Sequence, residues 1–308
     1  MRLQRTQEPS AGDDERVLNE HREVCGFLLH MLLRARSKGA EGPLVWIDLG
    51  CGEGRILSAV EGGIGEELRA NLRYLGLDMS EAAAGTADAR LRDLGLDAES
   101  CCEHGDLLRV GGRFGETRAH FLTLTNVLHE VPPYDLPAAL LNCIALLRPD
   151  GYLLAYDVER LADRDAWGEP DRVTWRRQNL AALVGTMLAV REEEARPLIS
   201  WWRHTSTTGW TLIVPGEAAK SIPAGARRAA LLKKSKVAVS AELRNMLEDA
   251  EGEIAEMVQA VEALPDMDRP DQDALGGALR DSLPHLLRER VALRRALGLG
   301  PEPGLSFG

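Results

Sequence analysis

The sequence predicts an α/β fold, an open, doubly wound, mostly parallel sheet followed by an α-helical C-terminal extension. Three observations predict it. Apolar runs of strand length recur and end in an acid, a glycine turn or an amide, each followed by helical spacing: Leu44–Leu49 before Gly50, Leu72–Leu77 before Asp78, and His120–Thr125 before Asn126. The first run turns over alternating glycines at 50, 52 and 54. Beyond about residue 226 the strand-like runs stop and apolar residues fall at 4-3 spacing.

Taken in order, residues 1–14 are polar, with Pro9, Gly12 and paired acids, and read as a disordered tail. From Val17 to Arg36, Leu18, Val24, Cys25, Leu28, Leu29, Leu32 and Leu33 recur at helical spacing and predict an amphipathic helix. The strand Leu44–Leu49 carries Asp48 near its end and runs into Gly50-Cys51-Gly52-Glu53-Gly54-Arg55. Glycine lacks Cβ and tolerates positive φ, so such a loop admits a ligand close to the backbone. A dinucleotide fingerprint needs its third glycine three positions after the second, and Arg55 stands there. The second strand ends in Asp78-Met79-Ser80, where a carboxylate can accept bonds from both hydroxyls of a ribose. Glu103-His104-Gly105-Asp106-Leu107-Leu108 follows, then the fourth strand and Asn126-Val127-Leu128-His129-Glu130-Val131. Pro132-Pro133 reads as the start of the next helix with Asp135 in its first turn, and Leu140–Leu147 as its apolar face. Leu147–Asp157 reads as helix end, turn and strand, 171–188 as helix, and 197–204 and 209–214 as a final strand pair joined through 205–209.

These segments, in this order, resemble the motifs of the class I S-adenosylmethionine-dependent methyltransferases over residues 15–215. The resemblance implies a methyltransferase-like Rossmann fold with a seven-stranded sheet closed by an antiparallel pair, S-adenosylmethionine as cofactor and S-adenosylhomocysteine as product. It assigns cofactor contacts to Asp48, Gly50, Cys51, Gly52, Gly54, Asp78, Met79, Asp106, Leu107 and Asn126. In that assignment Asp48 and the glycines hold the amino acid end, Asp78 the ribose, Asp106 the adenine, and Asn126 lies in the loop near the sulfonium. The N-terminal helix of such proteins often packs over the cofactor side of the sheet; plain packing against the domain is the alternative. Asp78 and Asp106 each also have an ordinary reading as cap or turn residues.

For the chemistry, a small-molecule acceptor must lose a proton at or near attack, and a histidine can take it. His129 is the candidate general base with Glu130 beside it, and tying the loop to its helix is the alternative role for the pair. His204, beside Trp202, is a weaker candidate. Because a sulfonium methyl is already activated, alignment alone can carry much of the rate. Val131-Pro132-Pro133-Tyr134 matches the Pro-Pro-Tyr motif of amino methyltransferases poorly, because the strand-end position is Asn126 followed by Val127.

Residues 216–226, just after Pro215, hold Pro223 and small spacers and read as a linker. Within 227–297, Leu243, Leu247, Ala250, Ile254, Met257, Val261 and Leu264 form one seam, and a second amphipathic segment runs from about Asp273 to Leu297 with Pro284 inside it or at its start. A helical hairpin is the simplest solution; docking onto the first domain and self-association are the others. Residues 298–308 read as a second disordered tail.

The net charge of -11 argues against a nucleic-acid partner. The basic cluster Arg227, Arg228, Lys233, Lys234 and Lys236 lacks interleaved aromatics and reads as a solvated helix face. The five cysteines show no Cys-x-x-Cys spacing, so no metal site is expected, and no apolar run is long enough for a membrane span. The expectation is a cytoplasmic enzyme that methylates an oxygen or nitrogen of a small molecule. A non-catalytic binding module on the same fold, and a protein or RNA methyltransferase recruiting substrate through the C-terminal helices, are the alternatives.

Overall fold

A computed structural model of the chain describes residues 13–36, 42–159, 172–190, 193, 199–203, 208–263 and 269–300. Seven strands form one sheet: β1 (Leu44–Leu49), β2 (Leu72–Asp78), β3 (Cys101–His104), β4 (Ala119–Thr125), β5 (Leu147–Val158), β6 (Ile199–Arg203) and β7 (Thr208–Pro215). The helices are α1 (Asp13–Arg36), α2 (Ser58–Gly63), α3 (Glu66–Arg69), α4 (Glu81–Leu91), α5 (Leu136–Ala145), α6 (Arg177–Leu188), α7 (Gly225–Ala263) and α8 (Arg269–Ala296).

Strand order is β3-β2-β1-β4-β5-β7-β6. The first five strands are parallel, and β7 pairs antiparallel with both β5 and β6. The doubly wound, seven-stranded fold with its antiparallel closing pair is therefore as expected. The chain winds from β1 outward to β3, then crosses to β4 on the other side of β1. That reversal opens a crevice at the carboxyl ends of β1 and β4, where open α/β sheets bind ligands.

Every residue of β1 is buried, which is why it reads as a nearly continuous apolar run rather than an alternation. Its side chains nonetheless divide between the two faces. Trp46 joins Tyr74, Phe121 and Leu154 under α1, whose Cys25, Leu29 and Leu33 supply the covering stripe. Val45, Ile47 and Leu49 join Leu122, Leu124 and Leu153 under α5, α6 and α7.

Several boundaries differ from expectation for local reasons. Asp13 and Asp14 open α1, while the rest of the expected N-terminal tail, 1–12, lies outside the described residues. Asp135 occupies the N-cap position of α5 rather than its first turn, with Pro137 just inside the helix. Residues 148–151, read as a turn, are carried within β5 at a register irregularity opposite Ala119–Phe121. Residues 216–226 are not a plain linker: Gly216–Ser221 forms a 3-10 turn whose Ala218 and Ala219 pack on the core, and α7 begins at Gly225. Pro284 lies inside α8.

The extension forms two long helices, and they are not held apart from the sheet. Val239, Leu243 and Met246 of α7 and Leu293 of α8 are buried in the same apolar cluster as β4 and β5. Arg176, just before α6, clamps both: Nη1 lies 2.9 Å from Glu253, and Nε and Nη2 are each 3.1 Å from the two Glu289 oxygens. Glu251 pairs with Arg290, so α8 returns antiparallel along α7. Burial along the seam fades toward its end: Leu243 and Ala250 are buried, and Val261 is 44% exposed. Leu297 and Gly298 turn the chain after α8, and 301–308 lie outside the described residues.

Candidate active site

The glycine loop is stitched to the end of β2. Gly50 N–H and Cys51 N–H both donate to Leu77 O, at 2.7 and 3.1 Å, and Gly52 N–H donates to Asp78 Oδ2 at 2.8 Å. The loop glycines have φ of 77°, 54° and 75°. At Gly50 a Cβ would also clash with Val127 Cγ2, so that position needs glycine twice over. Asp78, 9% exposed, uses its other oxygen to accept from Ser80 N–H at 2.8 Å. Gly105 N–H donates to Asp78 O, which brings the end of β3 beside the same loop. Asp106 follows, accepts from Leu108 N–H at 2.8 Å and caps the 3-10 turn Leu107–Gly112.

The expected cofactor residues thus gather at one edge of the sheet, with three exceptions in how they face. Asp48 is fully buried beneath the loop: Oδ2 accepts from Tyr74 O–H at 2.5 Å and Oδ1 from Thr123 O–H at 2.6 Å, and Thr123 Oγ1 in turn accepts from Trp46 Nε1 at 2.8 Å. Burial pushes its carboxyl up to about 6, against the two hydrogen bonds that lower it and with the help of the Asp78 charge. Leu107 turns into the apolar core. Cys51 is buried, and its sulfur shares with Cys102 the space left by the absent Cβ of Gly76. Met79, by contrast, is 66% exposed at the rim.

Asn126 ends β4 with φ of 55°, a left-handed conformation that Asn tolerates better than most residues, and its N–H donates to Tyr156 O. That turn delivers the next residues across the end of β5. There Asp157, 1% exposed, holds His129 twice: Oδ1 lies 2.7 Å from the ring Nδ1 and Oδ2 accepts the His129 backbone N–H at 2.9 Å. A carboxylate only accepts, so Nδ1 carries the proton and Nε2 is the basic nitrogen. Burial by itself lowers the proton affinity of this ring; the Asp157 charge and hydrogen bond, with Glu130, outweigh it and hold the pKa above that of an ordinary histidine. Glu130 lies 3.5 Å from Arg172, and its pKa is raised by desolvation against the pull of that guanidinium. Asp157 and Arg172 were not singled out from the sequence. Asp157 had a signal in its place at the end of a strand, the position that drew attention to Asp78; Arg172 had none. His204 and the 205–207 connection lie outside the described residues.

From the other side, His21 of α1 places Nε2 3.1 Å from Thr125 Oγ1 and stacks on Tyr156 at 4.7 Å, while Arg36 at the far end of the helix meets His120. α1 therefore runs along the face of β4 and its amino end reaches the site edge. Burial drives the His21 pKa down to about 3, with Arg22 adding to the shift, so the ring is neutral. Among the described residues there is no His/Cys/Asp/Glu group that could hold a metal ion, and no helix long and apolar enough to cross a membrane.

A sheet of this order, with a left-handed glycine loop after β1 and an acid at the end of β2, is a methyltransferase-like Rossmann fold. Residues 47–153 match the family model described as a methyltransferase domain. No curated protein matches the sequence. Solved structures similar to it include magnesium protoporphyrin IX methyltransferase from Synechocystis PCC 6803 with bound SAM, at 16% identity over 67% of this chain and 85% of that one, with a TM-score of 0.39. A SAM-dependent methyltransferase from Aquifex aeolicus matches at 19% over 65% and 88%, TM-score 0.38. The DszA carbon methyltransferase matches at 17% over 68% and 56%, TM-score 0.46.

Proposed function

We propose that this protein transfers the methyl group of S-adenosylmethionine to an oxygen or nitrogen of a small molecule, with His129 as general base. The observation that carries the reading is the His129–Asp157 pair, buried at the same sheet edge as the glycine loop and Asp78. The residues present fit the donor. Each Asp78 oxygen accepts one backbone N–H and keeps acceptor capacity for the ribose hydroxyls. The glycine loop brings backbone, rather than side chains, against the amino acid end. Asp106 stands at the end of the neighbouring strand for the adenine amino group.

When bound, S-adenosylmethionine supplies a methyl group already activated by sulfonium charge. The protein aligns the acceptor with it and manages one proton. Asp157 fixes the Nδ1–H tautomer and steadies the imidazolium, and Nε2 of His129 takes the acceptor's proton and returns it to solvent. Such base assistance contributes about 10²- to 10⁴-fold.

The test is calorimetric titration with S-adenosylmethionine, S-adenosylhomocysteine and NAD, followed by an acceptor screen. Expected are micromolar affinity for the two adenosyl ligands, none for NAD, at least tenfold weaker binding by Asp78→Ala, and unchanged binding but lost turnover by His129→Gln. A folded protein that ignores both adenosyl ligands overturns the reading.

A further inference from the structure

The 39-residue helix α7 carries charge in blocks. From 225 to 241 there is no acid, and Arg227, Arg228, Lys233, Lys234 and Lys236 are all basic; from 245 to 263 there is no base, and Glu248, Asp249, Glu251, Glu253, Glu256 and Glu262 are all acidic. The helix has no acid in its first turn and no base in its last, so both blocks sit at the wrong ends for the helix dipole. Arg176 and Arg290 pair with Asp249, Glu253 and Glu251 within the chain; local helix stability does not explain the remaining charges, and a docking surface does.

At about 100° per residue, Lys233, Val237, Arg244, Glu251, Val258 and Glu262 fall within an arc of about 60°, and all six are exposed. Val237 and Val258 are 66% and 50% exposed, unusual for valine on a helix of this charge. The stripe is self-complementary when read backwards. An antiparallel second copy, centred between Leu247 and Glu248, puts Lys233 opposite Glu262 and Val237 opposite Val258, and brings Arg244 beside Glu248 and beside Glu251, whose carboxylate also pairs with Arg290 within its own chain. A two-fold axis repeats each contact, as isologous dimers require. Beside the basic half lies a groove of about 560 Å³ walled by Tyr134, Leu232, Lys233, Lys236 and Val237. In this pairing it faces the exposed Val258 of the other copy.

We propose that α7 is a homodimerisation surface on which a second copy of this chain docks antiparallel, basic half on acidic half. The inference is independent of the methyl-transfer reading. Sedimentation velocity on the full chain, at low salt and micromolar concentration, tests it. Wild type runs as a dimer. Lys233→Glu/Arg244→Glu and Glu248→Lys/Glu262→Lys each run as monomers while keeping the wild-type circular dichroism and Tm, because all four side chains are exposed. An equimolar mixture of the two variants restores the dimer, since each reversed block then meets its opposite. A monomeric wild type, variants that stay dimeric, or a mixture that stays monomeric each overturn the proposal.

Discussion

Two carboxylates at this sheet edge are held in opposite ways. Asp48 is fully buried among hydroxyl donors with its carboxyl pushed up to about 6, whereas an unfolded aspartate titrates near 3.8. The folded state therefore binds the proton more tightly than the unfolded state, so Asp48 costs nothing below about pH 4 and costs increasingly as pH rises through 6. Two pKa units correspond to about 3 kcal/mol. Urea unfolding of wild type against Asp48→Asn should show the wild type losing about that much relative stability between pH 4 and pH 7; parallel curves would refute it. Asp157 works instead on a neighbour. The base form of His129 is lost as pH falls through its raised pKa, so turnover should climb through a midpoint above 6.5. Asp157→Asn removes the charge that sustains the shift, and its midpoint should move to lower pH with kcat reduced and KM for the cofactor little changed. An unshifted profile would show that the pair only secures the loop.

At the scale of elements, the glycine loop and β2 were legible because their demands are local. A glycine at φ of 77° against Val127, or an acid at the end of an apolar run, leaves its mark within a few residues. Asp157 was not singled out because its partner His129 is 28 residues away in sequence. The clamp at Arg176 was equally hidden: its acceptors Glu253 and Glu289 lie 77 and 113 residues further along. That guanidinium is 16% exposed, and truncating it strands Glu253 and Glu289 as like charges between two helices. Removing one partner from a poorly solvated pair costs about 3 kcal/mol or more. Arg176→Met should therefore lower Tm by several degrees, measured by calorimetry; an unchanged Tm would mean the helices are secured by apolar contacts alone.

Across the whole molecule, the helical extension completes the core, because Val239, Leu243 and Met246 cover the same cluster as β4, β5 and α6. Deleting the chain after Pro215 should expose that surface, raising binding of a hydrophobic dye and lowering Tm, whereas a separable hairpin would leave a domain with wild-type stability. The sequence by itself determined the doubly wound sheet, the glycine loop and the acids at its strand ends. Each follows from side-chain periodicity, glycine's conformational freedom or the chemistry of a strand terminus, all properties of contiguous residues. Only the tertiary structure decided that Asp48 lies under the loop instead of in it, that Asp157 orients His129, and that the last third of the chain shares the sheet's core. Those depend on which distant side chains meet once water is excluded, and a buried charge or apolar face finds its partner by proximity in space.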